Sequence, residues 1–405
     1  MDAFILLMSI ISVFIGYIIG TINPGYFFGR LKKIDIREVG TRNAGTSNVY
    51  KILGIAYAVP TAIYDTLKGL LSMFIAYLLG ADYVFIQISG LVAILGHIFP
   101  FYLRFRGGQG MATSTGILLY YLVNYFTYSI EILFILLFLL IIVAIFGYVT
   151  KVGEIIGIMV IPILAYALFI YYPEVPYTIY LTIILAYIVF IGLYNTITKK
   201  KMVIEDETFK LHWWRTATRP FAVLFILFYV FLSKGIAITI IGIVGLCFII
   251  LDITRFIHKQ TNLLITTKVK AFFRKGEEKK FSSMTLFLVA AFITMLLFDE
   301  SIAITALIFL IFGDIFSKIF GLAFGRHTIF EKTLEGTLAY YGAVLITGFF
   351  LFTTLHIHPA ILIIGGISAP LVELFSFQLN DNFTVSLICG TIMTVGTFFG
   401  VPKTL

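Results

Sequence analysis

Apolar residues occur along the whole chain in runs of roughly twenty, the length at which a helix crosses a hydrocarbon core, and about fourteen such runs alternate with short polar stretches. Strands of a membrane barrel would be about ten residues long with alternating polarity, so the pattern predicts helices. The expected fold is all-α, a polytopic helical membrane protein. Met1 and Asp2 lead directly into Ala3 to Ile22, without a basic n-region or a small-residue cleavage site, so the first run is expected to stay as an anchor. With the first span starting outside, parity returns Arg30 to Lys51, Arg104 to Gly110, Thr150 to Glu154, Thr198 to Arg219 and Arg255 to Phe281 to one face. Nearly every basic cluster falls there, which makes that face cytoplasmic and the expected location the cell (plasma) membrane.

Composition sharpens this picture. Hydrophobic residues make up 60% of the chain, charged ones 12%, and the mean hydropathy is +1.03, a balance that excludes a soluble protein. The net charge of +8 follows from the topology of the basic loops and does not point to nucleic acid. Cys247 and Cys389 both lie inside apolar runs, where a buried thiol is expected in place of a disulfide or metal knuckle.

The most polar interruption of the first half is Gly40 to Lys51, GTRNAGTSNVYK. Asn43, Thr46, Ser47 and Asn48 supply short donors and acceptors, Gly40 and Gly45 allow close backbone approach, and Arg37, Arg42 and Lys51 add positive charge. That chemistry suits a phosphate ester at a membrane surface; the plainer alternative is a solvated connecting loop. Downstream, Asp65 and Lys68 are three residues apart in an apolar run, on one helical face, as a structural ion pair or a substrate contact. His97 in GHIFP is a packing residue or a catalyst. Arg106, Gly107, Gly108, Gln109 and Gly110 precede another apolar helix and can form a backbone N–H cradle for phosphate at its start.

GTRNAGTSNVYK, DTLKG (65–69) and GHIFPFYLRFRGGQGMAT together resemble the bacterial membrane glycerol-3-phosphate acyltransferases that use acyl phosphate. The resemblance covers about the first half. It implies a seven-helix membrane fold and transfer of an acyl chain from acyl phosphate to the 1-hydroxyl of glycerol 3-phosphate, giving lysophosphatidate, with no cofactor. It assigns catalysis to Thr41, Asn43, Asn48 and Lys51, and substrate binding to Gly40, Arg42, Gly45, Ser47, His97, Arg106 to Gly110 and Asn195. The family's motif serine falls on Thr41, its arginine on Lys51, and its two glycine-loop lysines on Arg106 and Gln109. A later serine falls on Glu154 and a histidine on Gly192, so altered substrate use or loss of catalysis is an open alternative.

Residues 199–219 form a basic connector with Trp213 and Trp214, and the domain boundary is expected here, separating residues 1–201 from 209–405. A second polar stretch, Arg255 to Phe281, contains GEEKKFSS, read as a solvated loop or the border of a site. In the second half Asp314, at the end of an apolar run, is followed by glycines and bases, then by Lys332, Glu335 and Gly336, and later by Glu373, Asp381 and Asn382. A carboxylate there needs water, a cation or a metal, and the set suits a nucleotide triphosphate with Mg²⁺; Asp381 and Asn382 equally suit a turn and a helix cap. FGDIFSKIFGLAFGRHTIFEKTLEGTLA and APLVELFSFQLNDNFTVSL resemble the CTP-dependent polyprenol, phytol and diacylglycerol kinases. That resemblance implies catalysis by Asp314 and Lys332, Mg²⁺ on Asp314, Glu373 and Asp381, and substrate or CTP contacts at Glu335, Gly336 and Asn382. The whole is then two bundles of about seven helices each, with acyl phosphate, glycerol 3-phosphate and membrane lipids as partners. Two other readings remain open: a lipid kinase whose first half is a scaffold, and a lipid transporter, which would show inverted repeats and midplane polar sites.

Overall fold

The computed structural model describes the chain except residues 1, 128–131, 199, 201–225, 227–228, 230–233, 259–279, 376–380 and 405. Trp213, Trp214 and the first half of GEEKKFSS therefore lie outside the described residues. By contacts the chain forms two units, Met1–Leu140 with Gly157–Lys199, and Ile141–Ile156 with Lys200–Leu405. Helices dominate both. Among the described residues eight are long and apolar enough to cross a bilayer, and Ser283–Leu297 and Pro359–Leu374 are shorter apolar helices. The expectation of about fourteen spans concerns the whole chain, including residues outside the described ones.

Unit 1 contains α1 (Ala3–Thr21), α2 (Pro24–Leu31), α3 (Thr46–Leu53), α4 (Ile55–Leu78), α5 (Tyr83–Ile98), α6 (Met111–Phe126) and α9 (Thr178–Thr198), with parts of α7 (Ile132–Thr150) and α8 (Gly153–Tyr171). Pro24, at the first position of α2, has the backbone angle a helix start needs and lacks an N–H that would go unpaired there. Asp82 caps α5 by accepting from the Val84 N–H at 3.0 Å. In hydrocarbon there is no hydrophobic force between helices, so small residues decide which ones touch. A Cβ on Gly20 would lie 2.2 Å from the Ala93 carbonyl oxygen, and one on Gly116 would lie 2.0 Å from that of Thr66. These two contacts press α1 onto α5 and α6 onto α4. The polar face of α4 is thereby closed in beneath the loops that follow α2 and α5.

Unit 2 contains α10 (Lys234–Ile257), α11 (Ser283–Leu297), α12 (Glu300–Phe324), α13 (Leu334–Leu355), α14 (Pro359–Leu374) and α15 (Asp381–Phe398). Its core is apolar and continuous, with Ile241, Leu288, Phe309, Ile361, Val385 and Met393 buried from successive helices. Phe146 joins it by packing its ring 5.3 Å from that of Phe320. The departures from the all-α expectation among the described residues are a hairpin of two-residue strands, β1 (Thr328–Ile329) and β2 (Lys332–Thr333), and an isolated bridge between Ile357 and Thr404. The hairpin leads into α13, which Thr333 caps by accepting from the Gly336 N–H.

Candidate functional site

The loop between α2 and α3 is built around Asn48. Its side chain is fully buried; the amide nitrogen lies 2.7, 3.0 and 2.9 Å from the carbonyl oxygens of Ile36, Val39 and Asn43. Its oxygen accepts from the Thr41 N–H at 2.7 Å. Asn48 was expected to take part in catalysis, but its amide is fully used in holding the loop's own backbone. The loop is correspondingly tight: Gly40 and Arg42 have φ of 63° and 55°. Asn43, also expected to be catalytic, closes an Asx turn by accepting from the Gly45 N–H at 3.0 Å. Thr41, Arg42, Ser47 and Lys51 are exposed, so the groups that can reach a ligand are the hydroxyls and bases. Thr46 adds a buried hydroxyl with no hydrogen-bond partner among the described residues.

The second loop, between α5 and α6, runs through Arg104 to Gly110. The N–H groups of Gly107 and Gly108 donate at 3.0 Å to the carbonyls of Ile98 and His97. This corrects the expected cradle: the loop folds back on the end of α5, and two of its N–H groups are spent there. What stays open is the start of α6, where Gly110 is the cap residue, φ is 70° and no side chain caps the helix. Gln109 and Asn195 were expected to bind substrate. Their amides instead face one another, with bonds of 3.0 and 3.2 Å, and the Tyr187 hydroxyl donates to the Gln109 carbonyl. A double-mutant cycle on Gln109→Ala and Asn195→Ala is expected to give roughly 0.5–3 kcal/mol of coupling in stability. Purely additive losses would show that the amide pair does not form.

Arg37 clasps the two loops together. Its guanidinium meets Asp35 at 2.8 and 3.0 Å, and its other nitrogen donates at 2.8 Å to the carbonyl of Leu103. No local sequence signal announces this bridge, because it joins residues sixty-six positions apart. The Arg37 hydrogen bonds push the Asp35 carboxyl down to about 2, against the opposing effect of burial. The clasp therefore contributes stability above the ordinary carboxylate value of 3.8 and loses it as pH falls towards 2. Arg42, Lys51, Arg104 and Arg106 are exposed and form no ion pair among the described residues. Arg42, Arg104 and Arg106 of the two clasped loops and Lys51 of α3 are thus four bases without an ion pair among the described residues, a setting that draws anions.

Beneath the loops lie Asp65 and Lys68 of α4 and His97 of α5, all buried. Lys68 donates to Asp65 at 2.8 Å and to the Ile22 carbonyl at 3.1 Å, and it also meets the His97 Nδ1. Glycine is required above them. A Cβ on Gly107 would lie 2.1 Å from the His97 carbonyl oxygen, which belongs to the backbone and cannot move aside. Gly107→Ala is expected to displace the loop and lower activity by roughly 100-fold, the scale of a misplacement of about 1 Å. A kcat/KM within threefold of wild type would count against this geometry. Gly192 lies one helical turn from Asn195 on α9, and Glu154, half-buried in the first turn of α8, falls in the segment grouped with unit 2.

In unit 2 the sequence-marked residues fall into two groups. Lys332 of β2 lies 2.6 Å from Glu373 of α14 and 2.7 Å from Asp381 of α15, and Ser317 of α12 reaches Glu373 at 3.4 Å. Burial works against the Lys332 charge, but the two carboxylates outweigh it and hold its pKa above the usual value. The Glu335 carboxylate accepts from the N–H groups of Arg326 and His327 at 3.0 and 3.2 Å and pairs with the His327 ring at 2.7 Å. It fastens the hairpin, where a substrate contact was expected. Gly336 is likewise structural: its N–H bonds Thr333, and a Cβ there would lie 2.8 Å from the Ser317 carbonyl oxygen. Asn382 approaches the Ser283 carbonyl at 3.4 Å.

The expected metal trio is Asp314, Glu373 and Asp381. Among the described residues no three His, Cys, Asp or Glu side chains converge to hold a metal. Glu373 and Asp381 share the Lys332 ammonium, and Asp314 is half-buried on α12 without joining them as a third ligand.

Comparisons with known proteins match the first half of the chain. A family model described as "Glycerol-3-phosphate acyltransferase" matches residues 10–200. A glycerol-3-phosphate acyltransferase of Bacillus velezensis is 31% identical over 202 residues, 50% of this chain and 96% of that protein. One from Enterococcus faecalis is 35% identical over 154 residues, 38% of this chain and 71% of that protein. A crystal structure of PlsY (YgiH), an integral membrane glycerol 3-phosphate acyltransferase in its glycerol 3-phosphate form, is 28% identical. It covers 48% of this chain and 93% of its own, with a TM-score of 0.38.

Proposed function

The chain belongs, through residues 10–200, to the glycerol-3-phosphate acyltransferase family, and on that premise we propose that unit 1 transfers an acyl chain from acyl phosphate to glycerol 3-phosphate. The observation that carries this reading is the clasped pair of polar loops with four exposed bases on and beside them. In the proposed reaction the 1-hydroxyl oxygen attacks the acyl carbonyl carbon, and the bond from that carbon to the phosphate oxygen breaks. Phosphate leaves with the electron pair and takes up the hydroxyl proton, and lysophosphatidate remains. The donor is already activated, so binding and orientation supply most of the catalysis. Arg42, Lys51 and Arg106 neutralise phosphate charge, the Thr41, Thr46 and Ser47 hydroxyls donate to phosphate oxygens, and the open start of α6 faces the developing anion. Asn48 and Arg37 keep these groups in register.

The test is purified protein in lipid with acyl phosphate and glycerol 3-phosphate, following lysophosphatidate. Product formed at the expense of both substrates supports the reading. If none forms from folded protein, unit 1 is a scaffold, as the replacements at Gln109, Glu154 and Gly192 would allow. The proposed location is the plasma membrane, with the loops on the cytoplasmic face.

For unit 2 the proposal is a lipid-kinase-like activity with CTP as donor. It draws on the meeting of Lys332, Glu373, Asp381 and Ser317 from four elements. Lys332 suits a phosphate oxygen once released from its carboxylates. With Glu373 and Asp381 both bound to that ammonium, the residues as placed do not fit a Mg²⁺ site. Radiolabelled CTP offered with polyprenol or diacylglycerol tests the proposal; no transfer to either lipid would overturn it.

A further inference from the structure

We infer that the groove between α10 and α11 of unit 2 holds an acyl chain of a membrane glycerolipid, recognised through the chain and not through its head group. The inference is independent of both transfer readings.

The two helices are pinned to one another at both ends. At one end the buried Asp252 carboxylate accepts from the Ser282 N–H at 2.8 Å and the Thr285 hydroxyl at 2.7 Å, and it pairs with Arg255 at 2.9 Å. Arg255 also donates to the Lys280 carbonyl. At the other end Lys234 donates at 3.2 Å to the carbonyl of Phe298, the residue that follows α11. Between the pins opens a groove of about 480 Å³, lined by apolar side chains and glycine alone. That volume lies in the range of about 300–1,000 Å³ for sites that take a single ligand. A Cβ on Gly242 would lie 3.0 Å from the Phe292 ring, whereas one on Gly245 would meet only Leu288, at 3.8 Å. The groove is therefore narrow at Gly242 and roomy at Gly245.

Its position in the bilayer says what fills it. From Lys234 to Arg255 the helix rises roughly 30 Å at about 1.5 Å per residue, the thickness of a hydrocarbon core. With those charges at the two interfaces, the groove lies at the level of the lipid chains. Ile243, Leu246 and Ile250 beside it are exposed, so it is continuous with the face of α10 that meets lipid. Helices in hydrocarbon approach one another through small residues, and here the two glycines are flanked by Leu246, Ile249 and Phe292, which favours a thin chain over a second helix. A chain moving in from the bilayer gains nothing by leaving water, so it is held by carbon contacts, which a groove multiplies over a flat face. The charges at the Arg255 end are engaged with one another, which leaves the chain as the part recognised.

The experiment uses the full chain in phosphatidylcholine vesicles that contain a phosphatidylcholine with a photoreactive diazirine in mid-chain, with adducts mapped by mass spectrometry. Labelling of Val289 and Phe292 is expected to exceed that of Phe14, an exposed side chain of α1, by at least about fivefold, because a groove surrounds a chain that a flat helix face touches on one side. Equal labelling would mean ordinary lipid contact and overturn the proposal. Gly245→Leu fills the roomy part of the groove and is expected to bring its labelling down to the level of Phe14; unchanged labelling in this variant counts against the site. Unlabelled phosphatidylglycerol with the same chains is expected to compete as well as phosphatidylcholine. Competition by one head group alone overturns recognition through the chain, and stronger competition by a polyprenol overturns the choice of chain. Crosslinks joining the groove to a second copy, or to residues 221–233 of the same chain, would identify a different occupant and overturn it as well. The wild-type ratio of groove to Phe14 labelling needs no variant and decides the proposal even if Gly245→Leu fails to fold.

Discussion

Asn48→Ala is expected to reduce acyl transfer by at least roughly 100-fold while leaving the helices of unit 1 folded. Four backbone groups lose their partner at once, the carbonyls of Ile36, Val39 and Asn43 and the Thr41 N–H. Each buried polar group left unpaired costs about 1–3 kcal/mol, and the loop relaxes to reach water instead of bearing the sum. Arg42 holds positive φ only because the surrounding bonds enforce it, so the bases of the loop shift as it relaxes. A displacement of about 1 Å in a substrate-positioning group is enough for a loss of that size. Asn48→Asp sharpens the test. A carboxylate can still accept from Thr41 but turns lone pairs towards three carbonyls, so it is expected to be no better than alanine. An Asn48→Asp variant with near-normal activity would mean that the amide nitrogen does not organise the loop. Circular dichroism and detergent-resistant folding of the same samples separate loss of the loop from loss of the protein.

Helical periodicity and loop polarity carried much of this architecture in the sequence. Runs of roughly twenty apolar residues marked the helices because bilayer thickness sets their length. The i, i+3 spacing of Asp65 and Lys68 placed them on one face, and they do pair, since the alternative is an unpaired charge in an apolar helix. Contacts between distant segments were not legible. Nothing near Arg37 indicates that it will reach Leu103, and nothing near His97 indicates that Lys68, twenty-nine residues earlier, will meet its ring. The Gly107 and Gly108 N–H groups looked available because glycine spacing reports conformational freedom, not where the N–H groups point. The same limit applies in unit 2. Acidic residues at Asp314, Glu373 and Asp381 suggested a cation, and two of them do hold one. The cation is the chain's own Lys332, supplied by a hairpin whose turn no run of strand residues announces.

That cluster gives the second large effect. Lys332→Met is expected to destabilise unit 2 by about 2–4 kcal/mol, because it leaves two neighbouring carboxylates, one of them almost fully buried, without their shared cation. The figure sits at the lower side of the range for buried pairs because Lys332 and Asp381 keep about a quarter of their side-chain surface exposed. The raised pKa of Lys332 makes the sign of its pH dependence definite. Its contribution is complete below the usual lysine value of 10.5 and is lost only as pH rises through the higher folded value. Unfolding measured between pH 7 and 9 is therefore expected to show the full difference between wild type and variant, with no slope from this group. The combined Lys332→Met, Glu373→Gln, Asp381→Asn protein separates stability from chemistry. Removing all three charges is expected to restore most of the lost stability, since no unpaired charge is left to desolvate. If the cluster only fastens the hairpin to α14 and α15, that protein behaves as wild type in every transfer assay. If Lys332 is released to bind a nucleotide phosphate, as proposed for unit 2, the restored fold transfers no phosphoryl group from CTP, while acyl transfer by unit 1 stays within about twofold of wild type because its loops contain none of these residues.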